Sequence, residues 1–174
     1  MPSQRRYFAG NKWNVVRLIK LAIISFIVLF FVVTAISLLI PSHIRISKAI
    51  NIGGHQKASI FAHIIDTGRW QNWHPVFMTN PLPVKTASIY RILQSATDSE
   101  IVYQLRQDRH KQVTNGWKIY SYTTTDSLTL QWFMDFEVPW YPWQKFGSLF
   151  YENTYGVMME QGLSHLKASA QSHQ

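Results

Sequence analysis

The stretch LTLQWFMDFEV, residues 128–138, decides the fold of this chain. Large apolar side chains occupy every second position, which is the pattern of a β-strand with one thoroughly buried face. The opposite face carries Asp135 and Glu137, so we expect it to face water, and Pro139 ends the strand. The buried face has six members: Leu128, Leu130, Trp132, Met134, Phe136 and Val138.

Other segments predict further antiparallel strands around this one. Residues 44–52 alternate with four isoleucines on one face, interrupted only by Lys48. Residues 101–105 and 117–119 predict two more strands, and the dipeptide Asn115-Gly116 is typical of the turn between them. A strand is also expected near residue 89, after a proline-rich loop at 75–85.

Helical spacing appears before and after these strands. Residues 55–65 predict a short helix, and Trp70 and Trp73 lie on one face of a second helical turn that Asp66 and Thr67 can cap. Residues 143–168 contain no proline and predict a long C-terminal helix. Its two apolar stripes are rotated against each other near Asn153 and Gly156, which predicts a kink.

An apolar segment precedes the strands. Residues 21–40 contain no charge, glycine or proline, and a helix of this length spans about 30 Å, the thickness of a bilayer's hydrocarbon core. A cleaved signal peptide is the alternative, but its apolar region is usually only about 7 to 15 residues. We therefore predict a basic cytoplasmic tail at 1–17, a transmembrane helix at 18–40, one domain at 41–168 and a frayed tail at 169–174.

The charge of the chain is uneven, and this bears on its partners and location. The net charge is +8, but residues 1–20 hold five basic residues and no acid, so the high pI comes largely from the tail. We therefore expect no nucleic-acid partner. Because basic residues beside a first membrane helix tend to stay in the cytoplasm, the tail predicts an N-terminus inside and a domain outside. A basic tail can also contact anionic lipid headgroups.

Several kinds of chemistry lack support in the sequence. The chain has no cysteine, which excludes disulfides, thiolate metal sites and cysteine nucleophiles. Its histidines do not follow a metal-binding spacing, since His55 and His63 are eight apart and His74, His110 and His165 fall in separate segments. We expect neither a metal nor another cofactor, and the sequence favours binding over catalysis.

Two groups of residues carry a resemblance to a known family. The apolar helix is followed by LIPSHIRISKAINI, residues 39–52, and then by Phe61, Asp66, Trp70 and Trp73. This opening resembles membrane-anchored SRPBCC proteins of the START-like superfamily, which includes polyketide cyclase/dehydrase and lipid-transport proteins. The end of the chain is similar to the same group at Val138-Pro139, Phe146, Leu149-Phe150, Gly156, Met159-Glu160, Gly162-Leu163 and Leu166-Lys167. The resemblance as a whole covers about residues 18–168.

The resemblance implies an α+β helix-grip fold, in which a curved antiparallel sheet surrounds a long C-terminal helix. It also implies an apolar cavity between sheet and helix for a hydrophobic or lipid-like molecule. The segment after Trp73 is shorter than in the family, so we expect the early strands to be reduced. Our candidates for the cavity lining are Trp73, Tyr103, Trp117, Trp132, Met134, Phe136, Phe146, Phe150, Asn153, Val157 and Glu160.

Three functions remain open from the sequence. The first is a membrane-anchored binding module for a hydrophobic small molecule. The second is a cyclase, dehydratase or hydrolase in which a cavity acid such as Glu160 moves protons. The third is a structural or partner-binding protein with a filled core and an exposed patch at Trp140, Tyr141 and Trp143, aromatics that are equally suited to a membrane interface.

Overall fold

The N-terminal part of the protein is one long apolar helix. The computed structural model describes residues 7–53, 56–78, 89–107, 111–121 and 127–171. Helix α1 is Tyr7–Ser37, and its segment Val15–Ser37 is long and apolar enough to cross a membrane, with a mean hydropathy of 2.7. A signal sequence near the N-terminus meets the same criteria.

Five antiparallel strands form a single sheet in the described part of the chain. Its order is β1-β5-β4-β3-β2, so β5 lies between the first strand and β4. The strands are β1 (His43–Gly53), β2 (Ile89–Ala96), β3 (Glu100–Gln107), β4 (Lys111–Ser121) and β5 (Ser127–Glu137).

The alternating pattern of β5 gives the sheet two different faces. Met134 pairs with Ile46 of β1 and with Asn115 of β4, and this row lies on the face that we call the inner face. Asp135 pairs with Arg45 and belongs to the outer face, where their ion pair spans 2.6 Å. The predicted division into a buried apolar face and a polar face is therefore confirmed.

The predicted turn at Asn115-Gly116 is wrong. Both residues lie in the middle of β4, which pairs Gly116 with Phe133 of β5 on the outer face. A Cβ atom at Gly116 would come within 2.5 Å of the Cε1 atom of Phe133, so the glycine leaves room for this ring. A glycine in a strand therefore marks a close approach here rather than a turn.

The helices cover the inner face. Helices α2 (Lys57–Ile65) and α3 (Trp70–Trp73) follow β1, as predicted. The predicted C-terminal helix is divided into α4 (Pro142–Ser148) and α5 (Val157–Gln171). A π-helical turn at Glu152–Gly156 joins them, which confirms the kink expected near Asn153 and Gly156.

Helix α5 packs closely on the centre of the sheet. A Cβ atom at Gly162 would lie 2.6 Å from the Trp132 ring and 2.8 Å from Pro75, so the glycine permits this approach. The helix continues to Gln171 and buries Ala170, whereas a frayed tail was expected from residue 169. Burial of the Ala170 methyl group extends the helix past the expected end.

The predicted α+β architecture is confirmed: an N-terminal apolar helix, a curved antiparallel sheet and a C-terminal helix on its inner face. Most of the predicted loop at 75–85 lies outside the described residues, as do His55 and His110. The predicted boundaries at 17 and 40 remain predictions.

Candidate functional site

The centre of the inner face is filled with aromatic rings, which we call the aromatic cluster: Trp70, Trp73, His74, Trp117 and Trp132. All five side chains are fully buried. The Trp117 and Trp132 rings stack with centroids 5.5 Å apart, and Trp70 stacks on His74 at 5.1 Å. At this level the protein's own rings occupy the space that the family resemblance assigns to a ligand.

Three inner-face side chains hold the end of α2 against the sheet. Trp70 donates from Nε1 to the carbonyl of Ile64 at 2.8 Å, and Trp73 donates to the carbonyl of His63 at 3.3 Å. The hydroxyl of Tyr103 donates to the carbonyl of Ile65 at 2.8 Å. The last carbonyls of a helix lack intrahelical donors, so these side chains satisfy them and fix the cluster in position.

A short polar chain crosses the cluster. The Nε1 group of Trp132 donates to Oδ1 of Asn115, which orients the amide so that its Nδ2 faces Nε2 of His74 at 3.4 Å. Because the amide nitrogen donates, Nε2 is the acceptor, and the proton of the neutral ring lies on Nδ1. Burial lowers the pKa of His74 to about 3; its own backbone carbonyl opposes this shift and Arg91 reinforces it.

Two buried donors in the cluster have no hydrogen-bond partner among the described residues. They are Nδ1 of His74 and Nε1 of Trp117, and the centroids of the two rings lie 6.5 Å apart. A buried donor without an acceptor costs about 1–3 kcal/mol. Both groups would therefore gain from an acceptor oxygen.

One row of the inner face lies near the end of α1, and we call it the proximal row: Ile44, Phe136, Val113 and Leu105, paired across four strands. Phe136 and Leu105 are buried, whereas Ile44 and Val113 are only half-buried. Tyr155 and Tyr151 cover Phe136, with centroids at 4.6 and 5.0 Å. Burial raises the pKa of Tyr155, so this hydroxyl stays neutral at physiological pH.

Lys145 ties the proximal end of the sheet to α1. Its side chain is buried, and its Nζ donates to the carbonyl of Ile40 at 2.8 Å and to Oγ of Ser42 at 2.7 Å. The carbonyl of Ser42 accepts from the backbone of Val138 at 2.7 Å. The C-terminal end of α1, the beginning of α4 and the ends of β1 and β5 are thus joined.

The outer face carries an open polar groove of about 440 Å³. Its lining includes Arg45 and Asp135, whose charges are paired with each other, and Glu137. Gln104 and Gln112 bond to each other at 2.9 Å beside it. Most of the lining is polar, and Ile44 and Phe136 of the proximal row also contribute to it.

The structure brings six of the eleven predicted lining residues together on the inner face. They are Trp73, Tyr103, Trp117, Trp132, Met134 and Phe136, all buried. Phe146 is half-buried on α4.

Four predicted lining residues do not face the interior. Phe150 and Val157 are 65% and 52% exposed, and Asn153 and Glu160 are exposed as well. The expectation placed a kink near Asn153 and Gly156. The helix already breaks after Ser148, before Phe150, and the π-helical turn that contains Asn153 shifts the phase of Val157 and Glu160, which follow it.

Glu160 forms an ion pair instead of lying in a cavity. Its carboxylate is 3.0 Å from Nζ of Lys48, which also lies 2.9 Å from Glu152. The hydrogen bonds that Lys48 donates to Glu152 and to Glu160 raise the pKa of Lys48. This pairing explains why a lysine is tolerated on the inner face of an edge strand, and it leaves no support for Glu160 as a proton-transferring cavity acid.

Sequence reasoning missed the polar groups of the cluster. Asn115 was assigned to a turn and His74 was considered only as a metal ligand, yet both are fully buried at the centre of the domain. Their positions depend on the strand register and on the docking of α3. The one local signal was that His74 immediately follows the paired tryptophans.

Comparisons with known proteins agree with this architecture. No protein-family profile matches the sequence, and no curated protein matches it. Among solved structures, the di-domain ARO/CYC StfQ from the steffimycin biosynthetic pathway superposes with a TM-score of 0.54 at 9% identity, covering 75% of this chain and 51% of that chain.

Two further solved structures are similar with TM-scores of 0.49. A START superfamily protein from Mycobacterium smegmatis is 16% identical, over 75% of this chain and 99% of that one. An uncharacterised protein from Bacillus thuringiensis is 12% identical, over 74% and 99%. The strand order, the helix on the inner face and the superposition on the aromatase/cyclase together show that this chain has the START-like, helix-grip fold.

Proposed function

We propose that this protein is a membrane-anchored binding module that holds a hydrophobic or lipid-like small molecule on the inner face of its START-like domain. The site is the proximal row with Tyr151 and Tyr155. The observation that carries the proposal is the position of this half-buried apolar row beside the end of an apolar helix long enough to cross a bilayer. A hydrophobic molecule that partitions into the bilayer would have a short path to this row.

The chemistry of the row suits such a ligand. Apolar pockets bind through hydrophobic and aromatic walls, with a few polar groups that orient the ligand. Ile44, Val113 and Phe136 offer the walls, and the partly buried Tyr151 and Tyr155 supply hydroxyl groups.

The location of the domain is part of the proposal. Helix α1 anchors the protein, the basic tail stays in the cytoplasm and the START-like domain lies on the other side of the membrane. The excess of basic residues at 1–20, before the uncharged segment 21–40, supports this orientation.

A pair of neighbouring substitutions tests the site. Val113 and Thr114 are adjacent in β4 but lie on opposite faces. We expect Val113→Gln to reduce the ligand that co-purifies with the full chain by about tenfold, since a polar group would replace apolar contact. Thr114→Gln, which alters the outer groove, should leave the amount of co-purifying ligand unchanged.

The measurement is mass spectrometry of small molecules extracted from the full chain and both variants, purified in the same detergent. Lipid that merely surrounds α1 is equal in all three samples, so only a ligand of the domain differs between them. Equal extracts from Val113→Gln and the unmodified chain would overturn the proposed site. A loss in Thr114→Gln alone would move it to the outer groove.

A further inference from the structure

Helix α4 buries two polar side chains and exposes an aromatic one. It buries Lys145 and Ser148 and exposes Trp143 on its first turn. Leu149 and Phe150, directly after the helix, are 59% and 65% exposed. Three large exposed apolar side chains, Trp143, Leu149 and Phe150, so close together suit an apolar environment.

Three aromatic rings extend this exposed surface, and we call them the aromatic corner: Trp140, Tyr141 and Trp143. Trp140 and Trp143 are 62% and 66% exposed. Tyr141 lies between them, with its ring centroid 4.8 Å from Trp140 and 5.1 Å from Trp143. The stacking arranges the rings as one continuous amphipathic surface.

The aromatic corner is fixed beside the end of α1. Lys145, one turn away on α4, is bonded to Ile40 and Ser42, the residues that connect α1 to β1. Leu38 and Leu39 at this connection are exposed as well. If α1 crosses a bilayer, the corner therefore lies at the depth where the helix leaves the hydrocarbon.

We infer that the aromatic corner, with Leu149 and Phe150, inserts into the headgroup layer of the bilayer that α1 crosses. Tryptophan and tyrosine concentrate in this layer because each ring has an apolar body and a polar tip. The inference rests on the proposed membrane anchor and goes beyond it, because it fixes the domain against the membrane with the proximal row nearby. The occupant is the lipid surface and not a second protein.

Site-specific fluorescence tests this contact in the full chain. The chain has no cysteine, so single cysteines can be labelled with bimane without altering a native thiol. Gln144→Cys places the label beside the corner and keeps all three rings. Tyr120→Cys on the outer face and Phe26→Cys in α1 are the matched references, and all three positions are exposed.

The labelled proteins are reconstituted in phosphatidylcholine vesicles whose lipids carry bromine either near the headgroup or deep in the acyl chain. We expect headgroup-near bromine to quench the label at 144 at least about twofold more than the label at 120. Deep bromine should quench the label at 26 most strongly. Trp140→Ser with Trp143→Ser should reduce quenching at 144 without changing it at 26.

The outcomes separate this inference from the proposed anchor. Quenching at 26 with equal, weak quenching at 144 and 120 would overturn docking and leave the anchor intact. Absence of quenching at all three positions would overturn both. A label at 144 that is shielded from aqueous iodide but not quenched by lipid would show that protein covers the corner, which also overturns the inference.

Discussion

The centre of the inner face and its proximal row use the same kinds of side chains in different ways. At the centre, four tryptophans are fully buried, and two of them are bonded to carbonyls of α2. In the proximal row, Ile44 and Val113 are half-buried, and the two covering tyrosines are half-buried as well. The difference indicates that the centre supports the fold, whereas the proximal row has apolar surface to offer a ligand.

The largest expected effect is the loss of a ring at the centre. Trp132→Ala should lower the free energy of unfolding by about 3–5 kcal/mol, because it leaves a cavity beneath α5 and removes the donor to Asn115. Trp143→Ala, at an exposed position, should change it by less than about 0.5 kcal/mol. Denaturation of both variants in the same detergent measures the difference, and comparable losses would contradict a division between centre and surface.

The buried His74 predicts that the stability of the folded protein depends on pH. His74 has a pKa of about 3 in the folded protein against an ordinary value of 6.5, so below pH 6.5 only the unfolded chain gains the proton. Stability is therefore full above pH 6.5 and falls as the pH drops from 6.5 toward 3, by up to about 1.4 kcal/mol per unit.

His74→Gln isolates this dependence, since its amide oxygen can still accept from Asn115. The slope of unfolding free energy between pH 6.5 and 5 should become shallower in this variant. His165→Gln, at an exposed histidine on α5, is the control and should keep the original slope. An unchanged slope in His74→Gln would show that the ring is not held neutral.

Substitution of two buried tryptophans measures how much the hydrogen-bonded chain from Trp132 to His74 contributes to stability. Trp117→Phe and Trp132→Phe remove similar atoms from two fully buried positions, but among the described residues only the N–H group of Trp132 has a hydrogen-bond partner. We expect Trp132→Phe to cost about 1–2 kcal/mol more in unfolding free energy, because it leaves Asn115 without its donor. Equal costs would mean that the chain from Trp132 to His74 adds nothing to stability.

The smallest expected effect is at the edge of the sheet. Glu160→Gln should lower the unfolding free energy by less than about 1 kcal/mol, since its ion pair with Lys48 is exposed and Glu152 remains. Ligand co-purification should be unchanged. A large loss of bound ligand in this variant would bring Glu160 back as a functional residue.

The architecture could be predicted from the sequence because its signals are local and strong. The alternation over residues 128–138 and 44–52 reflects burial of one face, which each strand shows by itself. The uninterrupted apolar run of α1 and the tryptophan pair of α3 are equally local. Each of these signals can be recognised even when the predicted positions of neighbouring elements are slightly wrong.

The site depended on relationships that no local pattern contains. Asn115-Gly116 is a dipeptide typical of turns, and only the strand register shows that the Phe133 ring fills the space beside Gly116. Val157 follows the π-helical turn, which shifts its direction, and Phe150 lies in the break between α4 and that turn. The inward face of α4 follows from the bonds of Lys145 to the end of α1, across more than a hundred residues of sequence.

The most direct test of the account is photocrosslinking of the full chain with a lipid that carries a photoreactive group in its acyl chain, followed by peptide mapping. Adducts on α1 report that the probe reaches the protein. The account predicts additional adducts at Ile44, Val113 or Tyr155 that decline in Val113→Gln and persist in Thr114→Gln. Adducts confined to α1, or domain adducts on the outer face around Thr114, would contradict a hydrophobic site on the proximal row.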